Sequence, residues 1–345
     1  MSDPGARAPE VRRDRQKAML KRTTAAILFF GAVISAPLQA QKTLLFIELQ
    51  VVGAYATAPN DFELFSLMPD DVMQKPSLGF DLIRRFSGKS RDIGLLAVQA
   101  RLAYAERGEH KLEPQLYNAY FRLKTRSVNI WAGHNRPALG LSSVLDSHAL
   151  LLPAPAMLGF GFDRDWGVGV ERDFPSGGLA VSLTTGSGMP LYLKGNYLAA
   201  ARFYRGVLAR DNYSVGLSLA HGKILETMGY TLVMDEPFAW TAASLDLTHV
   251  WRNLENRAEV QLGRRDDAGL FLFFWRASLG LLDESRLKLE AQPVLKRSLG
   301  RWDTSLGFGL TYLFNADLAG RFMVFDDSER RGARFVVQLY YYKGI

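Results

Sequence analysis

The sequence lacks cysteine altogether and, beyond its first forty residues, lacks any long apolar run. Without cysteine among its 345 residues, the chain cannot form disulfides, bind metals through thiolates or use a thiol nucleophile. Beyond Gln41 no stretch of 18 apolar residues occurs, which excludes a helical membrane span in that part. The charged fraction of 22% and the aromatic fraction of 12% are those of a folded protein, not of a disordered tail.

Residues 1–40 have the build of a secretory signal peptide. A basic segment that ends at Lys21-Arg22 precedes twelve mostly apolar residues, Ala25 to Ala36. A short cleavage region that ends at the small residue Ala40 follows them. Twelve residues are too few to cross a bilayer as a helix, which needs about 20. We therefore expect cleavage after Ala40, with Met1 or Met19 as the start; an anchoring helix is the alternative.

The basic charge of the whole chain comes partly from this leader. Removing residues 1–40 takes seven basic and three acidic side chains from totals of 42 and 35, and the net charge falls from +7 to +3. In the remainder no basic run is interleaved with aromatic residues. We therefore expect no nucleic-acid partner.

From Gln41 onward, polar and apolar residues alternate with a period of two, which indicates strands with two unlike faces. The odd-numbered residues are polar in 255–261, and the even-numbered ones are polar in 286–292. A soluble β-sandwich alternates too, so this pattern alone does not distinguish a soluble sandwich from a membrane β-barrel. Sixteen candidate strands follow from it: 43–57, 77–88, 92–105, 113–125, 127–135, 164–174, 177–187, 200–210, 212–221, 240–252, 254–265, 269–281, 285–296, 302–314, 317–326 and 332–342.

The lengths of the connections separate the two classes. Links after even-numbered strands are short and rich in Gly, Asn, Asp and Ser, as in Asn315-Ala316-Asp317. Most links after odd-numbered strands are longer, and 136–163 is the longest. Outer-membrane barrels show this asymmetry, with short periplasmic turns and long outer loops. We therefore expect residues 41–345 to form an all-β, transmembrane, antiparallel up-and-down β-barrel of about sixteen strands.

At this point the sequence resembles the bacterial general-porin type of outer-membrane channel. The resemblance lies in the leader, the parity of the connections, the aromatic last strand and the segment Asn129–Pro137, which is similar to the strand entering the constriction loop of porins. It implies that the loop after the fifth strand, Arg136–Asp163, folds into the barrel and narrows it. The apolar core of that loop, Ser143–Pro155, agrees with an inward position. Two departures are the C-terminal Lys343-Gly344-Ile345 and the scarcity of acids in the loop.

The parity of the strands also predicts which side chains line the pore. A charge on the lipid face costs about 2–4 kcal/mol at the bilayer midplane, so the charged positions belong inside. The outward positions, such as Phe271, Trp275 and Phe308, are then available for lipid and for aromatic girdles. The predicted pore-lining residues are Asp146 and His148 of the long loop and the strand residues Arg101, Arg122, Glu171, Arg202, Glu255, Arg257, Glu259, Arg276, Arg286, Lys288, Glu290 and Arg334.

Motifs for other chemistry are missing or weak. No nucleophile elbow, phosphate-binding loop or zinc-protease motif occurs, and the five histidines lack metal-ligand spacing, so we expect no metal, cofactor or catalytic residue. The alternative is a closed outer-membrane barrel with a structural role or with an enzymatic site on its rim, where Ser142, Asp146 and His148 of the long loop could meet. A soluble periplasmic β-protein is a third possibility.

The leading hypothesis is a porin: a water-filled channel for passive diffusion of small hydrophilic solutes and ions across a bacterial outer membrane. We expect it to contact outer-membrane lipid, and the resemblance to porins implies a homotrimer. The number of arginines predicts a mild preference for anions. The sequence does not identify the solute.

Overall fold

The computed structural model describes residues 42–57, 60–64, 74–88, 91–106, 111–146, 148, 150–327 and 332–345. The expected signal peptide, residues 1–40, lies outside the described residues and stays a prediction. Ser147 and Ala149 of the long loop lie outside them as well.

Sixteen long strands, labelled β1 to β16 in chain order, form one antiparallel sheet. The first eight are Lys42–Ala56, Ser77–Ser87, Asp92–Tyr104, Leu112–Lys124, Asn129–Asn135, Asp165–Phe174, Gly177–Thr184 and Tyr197–Arg205. The second eight are Tyr213–Ile224, Phe238–Trp251, Leu254–Arg265, Ala268–Leu281, Leu287–Ser298, Arg301–Leu313, Leu318–Asp327 and Gly332–Gly344. Each strand pairs with the next, and β1 pairs with β16, with Glu48 opposite Tyr342. The predicted closed barrel and its sixteen strands are confirmed.

Smaller elements lie in the connections. The short strand Asp61–Glu63 pairs with the end of β1, and Thr227–Met228 pairs with Thr231–Leu232. The described residues also form three single turns of 3-10 helix and one turn of α-helix: Leu141–Ser143, Pro155–Leu158, Asp283–Ser285 and Leu208–Asp211. Among the described residues, no helix is long and apolar enough to span a membrane.

The predicted end of the eighth strand was wrong. That strand was expected over 200–210, but β8 ends at Arg205 because Gly206 adopts a φ of +90° and a helical turn begins at Leu208. An αL glycine breaks the extended backbone that pairing requires. The turn to β9 therefore takes 206–212 and is longer than the three residues expected.

The two faces of the wall are the reverse of those in a soluble β-protein. On β9, Leu217 and Leu219 are 55% and 61% exposed on the outside, whereas Ser218 between them is buried inside. The same contrast holds on β10 and β11, where Leu245 and Leu262 point outward and Asp246 points inward. A closed sheet with an apolar exterior satisfies its backbone internally and can stand in lipid. This pattern contradicts the soluble periplasmic protein.

Candidate functional site

The long connection between β5 and β6 lies inside the barrel. Its two helical turns, Leu141–Ser143 and Pro155–Leu158, place Leu139, Leu141 and Phe160 in fully buried positions. An apolar loop in water would expose these side chains, whereas here the inner wall covers them. The predicted inward fold of Arg136–Asp163, hereafter the inner loop, is confirmed.

One side of the inner loop packs on an apolar part of the inner wall. The wall residues come from β8, β9, β10, β12 and β13, and they meet loop residues including Leu139, Leu141 and Phe160. Leu158 and Phe162 of the loop pack against the same cluster. Inward apolar side chains are unusual for a polar lumen, and the loop accounts for them. The wall side chains of this cluster are Leu198, Ala200, Ala220, Ile224, Phe238, Trp240, Ala242, Leu270, Leu272, Phe274 and Val294.

The loop makes a second apolar contact with the part of the wall that β1, β14, β15 and β16 form. Leu151 and Leu152 pack with Met323 and Phe325 of β15, among side chains that also come from β1 and β16. On β14, a Cβ added to Gly307 would lie 2.6 Å from a methyl carbon of Leu152. A side chain at this position would therefore have to displace the end of Leu152.

Polar contacts fix the start of the loop to the β7–β11 wall. The amides of Ala138 and Gly140 donate to the hydroxyls of Ser182 and Ser218, each at 3.0 Å. The Leu141 amide donates to Glu259 Oε2 at 2.9 Å. Gly140 adopts a φ of +47°, and a side chain there would overlap the Glu259 carboxylate. This close approach favours glycine.

Two side chains of the β12–β13 wall hold the middle of the loop. The Arg276 guanidinium donates to the carbonyls of Leu152 and Pro153 at 2.9 and 3.0 Å. The Gln292 amide also donates to the Pro153 carbonyl, at 3.0 Å, and its oxygen accepts from Arg276 Nε at 2.7 Å. Loop carbonyls that would otherwise lose water are thereby satisfied.

A buried ionic cluster holds the loop on the β1–β3 wall. Glu48 Oε2 lies 2.7 Å from His148 Nε2, and Glu48 Oε1 lies 2.8 Å from Arg101 Nη2. The Arg101 guanidinium also contacts the His148 ring and its carbonyl, and the ring packs on Tyr117 at a centroid distance of 4.3 Å. Burial, and next the Arg101 charge, lower the pKa of His148 to about 4. The imidazole is therefore neutral near pH 7.

A second charged group lies where the loop leaves β5 and enters β6. Arg136 Nη2 lies 3.2 Å from Asp146 Oδ1, and Arg164 Nη1 lies 3.2 Å from Asp163 Oδ1. Tyr117 donates to Asp163 at 2.7 Å, and the Arg164 guanidinium lies 4.2 Å above the Tyr117 ring. The loop thus presents a charged edge to the lumen and an apolar edge to the wall.

Beneath this charged edge is a cavity of about 490 Å³. It lies between the loop and the periplasmic parts of β4 to β9. Val144 and Asp146 of the loop border it together with the aromatic rings of Tyr120, Trp131 and Tyr204. Its charged lining consists of four arginines and three acids: Arg122, Arg136, Arg164, Arg202, Asp146, Glu171 and Asp173.

Most of the predicted pore-lining residues face inward, usually in pairs. Arg202 lies 2.6 Å from Asp246, Arg257 2.6 Å from Glu255, Lys288 3.1 Å from Glu290, and Arg122 3.3 Å from Glu171. Arg101, Glu259 and Arg276 face inward and bind atoms of the inner loop. His148 and Asp146 belong to that loop. The Arg334 guanidinium lies 5.1 Å above the Phe325 ring, on the inner side of β16. Contact of these residues with solute stays a prediction.

Arg286 lies elsewhere. It precedes β13 at the periplasmic edge, where its guanidinium lies 5.7 Å above the ring of Tyr312, an outward residue. The helical turn Asp283–Ser285 ends just before it, so the alternation of β13 does not extend to this position. Its prediction as a pore-lining residue assumed that the strand began at 285.

Sequence reasoning missed Tyr117 and Arg164. Asn118 pairs with Gln99, and Leu116 pairs with Ala100, which leaves Tyr117 as the extra residue of a β-bulge. A bulge redirects one side chain and shifts the parity of its strand. Period-two alternation assumes no such insertion, so it could not place Tyr117 in the lumen.

The enzymatic alternative gains no support from the loop geometry. The His148 ring contacts Glu48 and Arg101, while the Asp146 carboxylate accepts from the His148 backbone amide at 3.2 Å. Ser142 is buried next to Leu141, whose amide is tied to β11, a different wall from the one that holds His148. A catalytic relay needs the base to meet the nucleophile and the acid to orient the base.

Comparison with known proteins finds the fold but no sequence relative. No protein-family model and no curated protein sequence matches the chain. Among solved structures, the anion-selective porin from Comamonas acidovorans aligns with a TM-score of 0.62 at 12% identity, over 89% of this chain and 100% of that one. The fold is that of outer-membrane porins.

Further structures agree with this porin fold. OmpF of Salmonella typhi, solved with daunomycin, gives a TM-score of 0.62 at 12% identity over 88% of this chain and 98% of that one. A loop-deletion mutant of OmpT, an outer membrane protein of Vibrio cholerae, gives 0.63 at 12% identity over 88% and 100%. Together with the apolar exterior, the porin fold places the barrel in a bacterial outer membrane.

Proposed function

We propose that this protein is a porin that lets small hydrophilic solutes and ions diffuse passively across the outer membrane. The observation that carries the proposal is the two-sided inner loop. Its apolar edge is packed on the wall, and its charged edge, with Arg136 and Asp146, borders a cavity that Arg164 also lines. A fixed loop of this kind sets the bore, and its charges bias the ions that pass. The pore-lining residues predicted from the sequence, with the exception of Arg286, belong to this proposal.

The proposal includes a mild preference for anions. Four arginines and three acids line the cavity, and Arg202, one of the four, is paired with Asp246 outside the lining. One structure of similar fold is described as anion-selective, and another as a trimer form. We include a homotrimer and the absence of catalytic activity in the proposal, together with removal of residues 1–40 during export. The mass of the protein purified from outer membranes tests that cleavage.

Conductance in planar bilayers tests the channel itself. Val144 is 48% exposed and borders the cavity, so Val144→Trp places an indole in the passage without disturbing a packed contact. We expect single-channel conductance to fall by roughly a third or more, because a narrower bore admits less electrolyte. Leu193→Trp, in the exposed connection between β7 and β8, is the matched control and should leave conductance unchanged.

The outcomes separate the hypotheses. Reversal potentials in a salt gradient should indicate weak anion selectivity; clear cation selectivity would refute that part alone. A barrel that folds and shows heat-modifiable gel mobility but conducts no current would overturn the channel and favour the closed-barrel alternative. Equal conductance in Val144→Trp and the parent would show that the passage does not run beside the inner loop.

A further inference from the structure

The connection between β9 and β10 folds as a small hairpin at the extracellular mouth of the barrel. Long connections lie on the extracellular side of outer-membrane barrels, and this one takes residues 225–237. Thr227–Met228 pairs with Thr231–Leu232, so Gly229 and Tyr230 form the turn between them. Residues 225–237, hereafter the mouth hairpin, therefore carry a tyrosine at their tip.

The base of the mouth hairpin is fixed to the wall on its own side of the barrel. The Leu225 amide and the Thr227 hydroxyl donate to carbonyls of the neighbouring β7–β8 connection, at 2.8 and 3.1 Å. Between them, Glu226 forms an ion pair with Arg265 at the end of β11. Two hydrogen bonds and an ion pair within three successive residues leave the base little freedom to move.

The tip of the mouth hairpin reaches a distant part of the wall. The Tyr230 hydroxyl donates to the Leu116 carbonyl of β4 at 2.9 Å. Strands β5 to β8 separate β4 from β9 in the sheet, so the hairpin spans that whole sector. Strand β5 pairs with β4 only along 119–124, below Leu116, because the chain leaves β5 for the inner loop. The tyrosine therefore binds β4 at a level that β5 does not cover.

The span of the mouth hairpin coincides with the sector that holds the cavity. Strands β4 to β9 line the cavity, with Asn118 on β4 and Ser214 on β9 among the lining residues. At the base, a Cβ built on Gly188 would lie 3.0 Å from the Phe162 ring of the inner loop and 3.2 Å from the Thr227 hydroxyl. The base is thus next to the inner loop. A solute from outside therefore meets the hairpin before it reaches the cavity.

The two ends of the mouth hairpin are held unequally. Among the described residues, Gly229 and Tyr230 make no other hydrogen bond to the wall. Met228 beside them is exposed, so it adds no buried apolar contact at the tip. A single neutral hydrogen bond has a small net effect, because water replaces the lost partner when the bond opens. The tip is therefore the end that releases, and the base is the end that stays.

We propose that the mouth hairpin is a hinged lid over the extracellular entrance to the cavity, with Tyr230 as its latch on β4. This rests on the proposed function, because a lid matters only where solutes pass. The closed lid admits small hydrated ions around its edges and excludes bulky solutes. Release of the Tyr230 hydroxyl opens the entrance about the fixed base. Selection by size then takes place at the mouth, before the solute meets the charges of the inner loop.

Thiol labelling in the full-length protein, in the outer membrane of intact cells, tests the lid. Val144→Cys supplies the one thiol, at an exposed position beside the cavity in a chain that has no cysteine. A bulky dye-maleimide and a small charged methanethiosulfonate are added outside. In the Val144→Cys background, Tyr230→Phe keeps the ring and removes the latch hydroxyl. We expect it to accelerate the bulky reagent roughly three- to tenfold and to change the small reagent little.

Two further variants make the result specific. Tyr192→Phe, in the connection between β7 and β8, removes a hydroxyl that makes no hydrogen bond in the described parts of the chain and should change neither rate. Deletion of residues 228–231 removes the tip and keeps the anchored base, so it should accelerate the bulky reagent at least as much as Tyr230→Phe. Heat-modifiable gel mobility shows that each barrel is folded.

The outcomes separate the lid from the channel. A bulky-reagent rate that neither Tyr230→Phe nor the deletion changes would overturn the lid, and so would equal acceleration by Tyr192→Phe. Equal acceleration of both reagents would refute selection by size. Labelling needs no current, so the two proposals fail independently. The expected labelling without conductance refutes only passive diffusion, and normal conductance with unchanged labelling refutes only the lid.

Discussion

Two parts of the barrel wall hold the inner loop through different kinds of interaction, apolar burial at one and buried ionic contacts at the other. The β8–β13 wall offers a buried apolar surface to Leu139, Leu141 and Phe160. The β1–β3 wall offers Glu48 and Arg101, which hold His148 through buried ionic contacts. The loop therefore depends mainly on apolar burial at the β8–β13 wall, with hydrogen bonds from Ser218, Glu259 and Arg276 added to it, and on a buried ionic contact at the β1–β3 wall.

The difference decides what each wall contributes. Burying a leucine or phenylalanine contributes about 1.5–3 kcal/mol, and the contribution varies little with pH or with the exact rotamer. A buried ion pair adds little net stability, because desolvation opposes the attraction, but losing one partner leaves an uncompensated charge. We infer that the apolar wall provides most of the docking energy and that the ionic wall fixes the position of the loop.

The largest effect is expected from breaking the apolar wall. Phe160→Ala removes a fully buried ring from the centre of the cluster and should destabilise the docked loop by about 4 kcal/mol. Because the chain has no cysteine, Ala154→Cys gives a single reporter at a loop position that is 1% exposed. Its modification by a water-soluble maleimide should accelerate strongly in Phe160→Ala. Phe314→Ala, at an exposed periplasmic turn, is the control, and an equal rate in both would refute the role of the cluster.

A smaller effect is expected from the ionic wall. Glu48→Gln keeps the shape but leaves Arg101 buried without its counter-charge, at a cost of about 3 kcal/mol. The double variant Glu48→Gln/Arg101→Gln removes both charges and should recover part of the loss. Urea unfolding of the three proteins measures this. If the double variant is less stable than Glu48→Gln, the ion pair is not what holds His148.

The fold was predictable because membrane strands obey two strong rules. The outward face must be apolar and every backbone group must be paired, so alternation and connection parity determine sixteen strands and closure. The predicted strand ends were wrong where a local backbone feature interrupted the alternation. At Gly206 a left-handed backbone ends β8 earlier than expected. The inward loop was predictable because its leucines would otherwise be exposed to water.

The contacts within the site were much harder to predict. Parity places Arg101 and Arg276 inside the barrel, but only the path of the loop decides that they bind loop atoms. The bulge at Tyr117 changes which side chain reaches Asp163, and no residue pattern marks it. Glu48 and His148 are a hundred residues apart, and their contact depends on closure of the barrel as well as on the fold of the loop.

The smallest effect, and the one that best separates the two walls, is expected from pH. Burial and the charge of Arg101 lower the pKa of His148 to about 4 in the docked loop. In the unfolded chain the pKa of the same imidazole is 6.5. In that window the unfolded state binds more protons, and stability is therefore complete above pH 6.5 and is lost as pH falls toward 4. The groups that face His148 are Glu48, Arg101, Tyr117 and Asp146.

Between pH 6.5 and 5 we expect the docked loop to lose about 2 kcal/mol of stability, measured as faster labelling of Ala154→Cys after correction for thiol ionisation. His148→Gln should flatten this dependence, whereas Phe160→Ala should retain it. The same slope in His148→Gln as in the parent would assign the effect to another group.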